Sequence, residues 1–366
     1  MENIKTYVES CAKRAKLAAY QLSETQNETR NQALRNIANA LRNNIESIQQ
    51  ANRQDLVAAK NNHLSPAMLD RLELTDKRIQ LMADSVDHIA AQPDIIGELE
   101  DQETRPNGLQ VARMRIPLGV IAIIYEARPN VTADAAALCL KSANAVILKG
   151  GKEAFHSNCA IVNIIREQLS LSSIPPDAVS FIETTDRDAV NELIKQKDDV
   201  DLLIPRGGES LIRFVSDNAT IPVIQHFKGV CHIFVEKTAD IQKAKSILIN
   251  AKCQRPGVCN AMETLLLDAA LPQSSQRELL EILANHHVIL HADDTLYRAF
   301  SSQIPMVLAT EDDWYREYLS LDLAVKCVAN TNDAIQHILR YGSLHTEAIL
   351  TEDRTCADQF LKKVNS

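Results

Sequence analysis

The chain has 366 residues, of which 45% are hydrophobic and 24% charged, with a formal charge of −9. That length predicts two or three domains at about 100 to 200 residues each, and the acidic balance excludes a general nucleic-acid partner, which needs clustered Lys and Arg. No apolar run approaches the roughly 20 residues that span a bilayer, and the polar start MENIKTYVESCAKRAK lacks a secretion segment, so a cytoplasmic location with eight reduced cysteines is expected.

Residues 1 to about 92 read as helical. Leu34, Ile37, Leu41, Ile45 and Ile48 recur at spacings of three and four, which predicts one face of a helix. Ser65-Pro66 and Thr75 are start signals for two further helices, the second running to about Ala91, and Pro93 stops the pattern. Residues 94–117 turn polar around Asn107-Gly108, a hairpin signal; this is either a solvated flap or an arm that pairs with another subunit.

From Gly119 onward strands and helices alternate. Strands are predicted at Val120 to Tyr125, Ala145 to Lys149, Val179 to Glu183, Val200 to Ile204, Ile221 to Gln225 and Cys231 to Val235. Apolar strands joined by helices indicate α/β architecture, a doubly wound parallel sheet covered on both faces, with ligands beyond the strands' carboxyl ends. Two strand ends run into glycine pairs: Lys149-Gly150-Gly151-Lys152, and Arg206-Gly207-Gly208-Glu209-Ser210. Small residues before a helix let backbone N–H groups approach phosphate oxygens. Either pair could cradle a dinucleotide, and either could be an ordinary turn with solvated lysines. Neither is the G-x-G-x-x-G fingerprint.

A second α/β series follows: helix Asp240 to Lys252, strand Met262 to Leu267, helix Ser274 to Ala284, strand Val288 to His291, strand Leu323 to Ala329, helix Asn332 to Arg340 and strand Glu347 to Leu350. Between its first helix and strand lies Arg255-Pro256-Gly257-Val258-Cys259-Asn260. Proline and glycine make a rigid corner with a thiol at its tip. Cys259 is then either a small buried hydrophobe or a nucleophile presented to an interdomain cleft. Cys253 with Cys259, and Cys231 with His232, lack the spacing of zinc ligands, so no metal is expected.

The ordered set Tyr125-Glu126-Ala127-Arg128-Pro129-Asn130, Lys149, Arg206-Gly207-Gly208-Glu209-Ser210, His226-Phe227-Lys228-Gly229-Val230, QRPGVCN and Glu317-Tyr318-Leu319-Ser320 resembles the aldehyde dehydrogenase superfamily. Within it the chain resembles the γ-glutamyl phosphate reductase family over nearly its whole length. The resemblance implies NADPH-dependent reduction of L-glutamyl 5-phosphate to L-glutamate 5-semialdehyde with release of phosphate, through a thioester on Cys259. It implies two doubly wound domains plus a β-hairpin oligomerisation arm: 1–93 with 118–235 binding NADP, 94–117 as the arm, and 236–366 as the catalytic domain. It implies a homodimer or higher homo-oligomer, with glutamate 5-kinase as functional partner.

By position, the resemblance makes Cys259 the nucleophile. Lys149, Lys152, Gly207, Gly208, Ser210 and Glu317 match cofactor-binding positions, with Glu317 on the nicotinamide ribose and Lys152 suited to the 2′-phosphate of NADP. His226 stands where hydrolytic relatives carry a water-activating glutamate; it is a candidate general acid or a packing histidine. Ala127 replaces the superfamily's oxyanion asparagine, which leaves the Cys259 N–H and Asn130 as candidate donors. Arg255 and Asn218 are candidates for the substrate's carboxylate or phosphate, or a structural arginine and a helix cap. Family members continue with a glycine-rich segment and an oligomerisation strand that have no counterpart here, so a truncated, non-catalytic dimerisation module is one alternative. Others are an aldehyde dehydrogenase acting on a free aldehyde and a thiol hydrolase.

Overall fold

The computed structural model describes residues 3–64, 66–224 and 228–366. Its N-terminal segment forms α1 (Ile4–Ser23), α2 (Asn27–Asn43), α3 (Ile45–Asn61), α4 (Pro66–Leu72) and α5 (Asp76–Ala91). The Leu34 to Ile48 series does not lie on one helix, because Asn44 interrupts it. Its amide donates to the Ala40 carbonyl at 2.8 Å and its backbone leaves helical geometry. Asparagine competes with the helical ladder in this way. Leu34, Ile37, Leu41 and Ile48 are nonetheless all buried. Thr75 caps α5, accepting from the Arg78 N–H; the Ser65 cap lies outside the described residues.

The polar stretch is a hairpin of β1 (Leu99–Thr104) and β2 (Gln110–Met114), paired antiparallel. Gly108, at φ +83°, closes its turn by donating to the Arg105 carbonyl at 2.8 Å. Every strand residue of the hairpin is exposed.

After it come β3 (Val120–Tyr125), α6 (Asn130–Lys141), β4 (Ala145–Gly150), α7 (Phe155–Leu171), β5 (Val179–Phe181), α8 (Asp188–Leu193), β6 (Leu202–Arg206) and α9 (Glu209–Asn218). The four strands form a parallel sheet in the order β5-β4-β3-β6. Side chains alternate across a strand. Accordingly Ile121, Ile123 and Tyr125 pack with α2, α5, α6 and α7, while Val120, Ala122 and Ile124 pack with α1, α8 and α9. Helices thus cover both faces. Ile221 to Gln225 is not a strand: Val223 makes a single bridge to Leu203, and Pro222 has no N–H to extend it. Gln225 lies outside the described residues.

The second compact unit begins at His226; the first spans Met1–Gln225. It contains β7 (Cys231–Val235), α10 (Ile241–Cys253), β8 (Met262–Asp268), α11 (Gln273–Asn285), β9 (Ile289–Ala292), α12 (Asp294–Phe300), β10 (Met306–Leu308), β11 (Asp322–Val328), α13 (Thr331–Tyr341), β12 (Glu347–Leu350) and α14 (Arg354–Lys363). All six strands are parallel, in the order β10-β9-β11-β8-β7-β12. This corrects the expected boundary at 235: strand Cys231–Val235 pairs with β8 and β12, so it belongs to the second sheet and not to the first domain. The short α12 and β10 were not foreseen.

One face of this sheet buries a polar row. His232 Nδ1 meets Glu347 Oε2 at 2.9 Å, and the His232 ring stands edge-on to His337 of α13. Burial, then the neighbouring His232 and Lys326, push His337 down from the ordinary 6.5 to about 2. A base depressed on folding contributes stability that is present above its unfolded value and lost as pH falls. Stability should therefore decline below pH 6.5, by about 2 kcal/mol at pH 5 from this group. Urea midpoints at pH 7 and pH 5 check this, and His337→Phe should flatten the difference.

Candidate active site

Cys259 sits where the sequence placed it, between the end of α10 and the start of β8. Two successive tight turns make the corner, Val258 N–H donating to the Arg255 carbonyl and Ala261 N–H to the Val258 carbonyl. The thiol residue is half-buried and Arg255 is exposed. No helix starts at Cys259, so a helix dipole does not act on it.

The segment that leads into β7 packs its backbone against the corner. A side chain on Gly229 would place its Cβ 1.9 Å from the Cys259 carbonyl oxygen, so only glycine lets these backbones meet. Two residues on, the Cys231 thiol donates to the same carbonyl at 3.2 Å. Burial, then Glu347, push Cys231 up to about 12, which keeps it protonated and a donor.

Glu317 reaches the same place. Its Oε1 accepts the Gly229 N–H at 3.0 Å, at the same residue whose backbone meets Cys259. It is presented by a turn over Glu311–Tyr315, fastened by the reciprocal Thr310 and Asp313 capping box and by the Tyr318 hydroxyl donating to Asp313. Cys259 and Glu317 therefore share one cluster, with Gly229 between them.

The glycine pairs lie in the first unit, at the ends of β4 and β6, the two strands that flank β3. Lys149 is buried near the end of β4, its ammonium donating to the Gly150 carbonyl at 3.0 Å. Burial lowers its pKa, against the pull of Glu153 and Asp186. Lys152 is exposed in the short turn before α7. Gly207 and Gly208 lead into α9, and Ser210 is exposed in its first turn. Here an unforeseen residue enters: Glu126, at the end of β3, accepts the Gly208 N–H at 2.9 Å. A Cβ on Gly207 would come within 2.7 Å of the Glu126 carboxyl carbon. An anionic oxygen thus already occupies the start of α9, as that helix end favours. A carboxylate directly after a strand, opposite a Gly-Gly turn, was the available signal.

The remaining candidates are scattered. Asn130 begins α6 and its amide donates to Asp134 at 3.1 Å. Asn218 ends α9 with its amide on the Phe214 carbonyl at 2.7 Å, a cap about 15 Å along the helix from Gly208. His226 lies outside the described residues.

Residues 2–320 match the aldehyde dehydrogenase family. The γ-glutamyl phosphate reductase of Citrifermentans bemidjiense is 49% identical over 98% of this chain and 85% of its own length. The crystal structure of the γ-glutamyl phosphate reductase from Thermotoga maritima superposes with a TM-score of 0.94 at 41% identity, covering 98% of this chain and 86% of that one. An acetylating aldehyde dehydrogenase from Geobacillus thermoglucosidasius, at 19% identity and a TM-score of 0.68 over 100% and 86%, shares the fold. With the match spanning both units and the thiol corner, the chain belongs to the aldehyde dehydrogenase family.

Proposed function

We infer that this protein reduces L-glutamyl 5-phosphate to L-glutamate 5-semialdehyde and phosphate, the second step of proline biosynthesis from glutamate. The observation that carries this is the 49% identity to a γ-glutamyl phosphate reductase over 98% of the chain. In the proposed chemistry the Cys259 thiolate attacks the acyl carbonyl, and a C–S bond forms as the bond to phosphate breaks. The Cys259 N–H is one donor to the oxyanion and Asn130 the proposed second. Arg255, exposed beside the thiol, and Asn218 are the proposed contacts for the substrate's anionic groups. His226 is the proposed general acid. Cys259 leaves as thiolate when the aldehyde is released.

The family uses a nicotinamide dinucleotide; NADPH is our proposal, and when bound it supplies the hydride. The residues fit such a group, because the Gly208 N–H before α9 already holds a carboxylate oxygen from Glu126. Gly207, Gly208 and Ser210 are the proposed cradle, Lys149 the ribose contact, Lys152 the 2′-phosphate contact and Glu317 the nicotinamide-ribose contact. Lys152→Glu should lower kcat/KM for NADPH about 10- to 100-fold, because repulsion of the 2′-phosphate replaces attraction to it, and leave NADH nearly unaffected. An equal loss with both cofactors would remove Lys152 from this role.

The domain roles follow as proposals: the first unit binds NADP and the second carries the nucleophile. The exposed hairpin is the proposed oligomerisation arm of a homodimer or larger assembly, since an isolated two-stranded hairpin is marginal in water. An enzyme that phosphorylates glutamate must supply the substrate, which makes glutamate 5-kinase the proposed functional partner. Eight free thiols suit a cytoplasmic location. The reaction run backwards tests the main reading. Glutamate semialdehyde should reduce NADP⁺ in steady state only when phosphate is present; phosphate-independent turnover would assign the chain to oxidation of a free aldehyde instead.

A further inference from the structure

Beneath the thiol corner lies an ion pair that the proposed chemistry does not use. Lys252, in the last turn of α10, donates to Glu263 Oε2 of β8 at 2.6 Å, and both side chains are fully buried. Burial pulls Lys252 down and pushes Glu263 up, and each opposes the other's shift. In sequence the pair brackets Cys259. In space it reaches a third segment, because Glu263 Oε1 accepts the Leu319 N–H at 3.1 Å.

Leu319 is a branched residue at φ +55°, a backbone conformation that costs energy and persists only when the surroundings hold it. Lys252 also lies 5.9 Å over the ring of Tyr318. The loop that these contacts hold is the one that presents Glu317 to Gly229. A continuous path therefore runs from Lys252 through Glu263, Leu319 and Glu317 to Gly229 and the Cys259 carbonyl.

We propose that Glu263 is a positioning residue, whose buried side-chain acceptor, held in place beside Lys252, fixes the left-handed turn at Leu319 and so sets Glu317 relative to Cys259. A buried pair gives little net stability over apolar side chains of similar size, while its charges and acceptor hold a defined geometry. Lys252 opposes the effect of burial on Glu263, whose carboxyl group accepts from Lys252 with one oxygen and from the Leu319 N–H with the other.

The proposal rests on Glu317 contacting the cofactor, and the test compares two doubly neutralised proteins. Lys252→Met with Glu263→Gln keeps an acceptor for Leu319; Lys252→Met with Glu263→Leu removes it. The Leu variant should raise the NADP⁺ dissociation constant and lower kcat by about tenfold each, the worth of one such contact. Adding Glu317→Gln to it should change either value less than about twofold, because the two changes break one path. The Gln variant should stay within about threefold of the original. Similar behaviour of the two variants, or a Glu317→Gln effect as large in the Leu background as in the original protein, overturns the proposal. Should the Leu variant fail to fold, a tenfold loss in the Gln variant, whose acceptor is intact, overturns it equally. NADP⁺ binding is read without glutamyl substrate, so phosphate-independent turnover of the unmodified protein would sink the reductase reading and leave this result standing.

Discussion

Cys259→Ser should lower kcat by at least about 10⁴-fold while changing the NADP⁺ dissociation constant by less than about threefold. A serine hydroxyl at the same tip is nearly isosteric but is not ionised near neutral pH. The cofactor residues of the proposed cradle lie on other elements, at β4, α9 and the Glu317 loop. Kinetics of the reverse reaction and fluorescence titration of NADP⁺ give both numbers. A serine variant that keeps a tenth of the activity would mean that the reaction does not depend on a thioester at residue 259.

Gly229→Ala should lower kcat about 100-fold through a residue that contacts no substrate. The added methyl would stand 1.9 Å from the Cys259 carbonyl oxygen, 2.8 Å from its carbon and 3.0 Å from its Cα. All three are backbone atoms, so the corner itself must move, and a displacement near 1 Å at a reacting group costs about that factor. The same shift disturbs the N–H that anchors Glu317. The rate of Cys259 alkylation by iodoacetamide should change with kcat. An alanine variant with normal kcat would show that the close approach of these backbones does not set the nucleophile's position.

Much of the fold was legible because its signals are local. The apolar runs at Val120 to Tyr125 and Glu347 to Leu350 became strands with those limits, and Thr75 capped the helix that it announced. The errors arose where a tertiary choice decides. Cys231 to Val235 reads as a strand in either domain, and only its pairing with β8 and β12 assigns it to the second sheet. Ile221 to Gln225 is apolar enough for a strand, but Pro222 and a single bridge keep it outside the sheet.

The site was legible to a different degree. Its thiol corner follows from Pro256 and Gly257, and the glycine pairs from the turn chemistry of Gly151 and Gly208. The roles proposed for Lys149 and Glu317 came from resemblance, since a lysine at a strand end and a glutamate after a short turn carry no signal of their own. What escaped is the set of contacts between segments distant in sequence: Glu126 with Gly208, Gly229 with Cys259, and Glu263 with Leu319. Each joins a side chain to a backbone group more than 25 residues away or brings two backbones together, and periodicity does not record such pairs.

The central claim is that an acyl group rests on Cys259 between hydride transfer and phosphate transfer. Glutamate semialdehyde and NADP⁺ mixed rapidly with the protein in the absence of phosphate should yield a burst of one NADPH per subunit and then stall, with turnover resuming when phosphate is added. Continuous NADPH formation without phosphate, or no burst before phosphate is added, would contradict it.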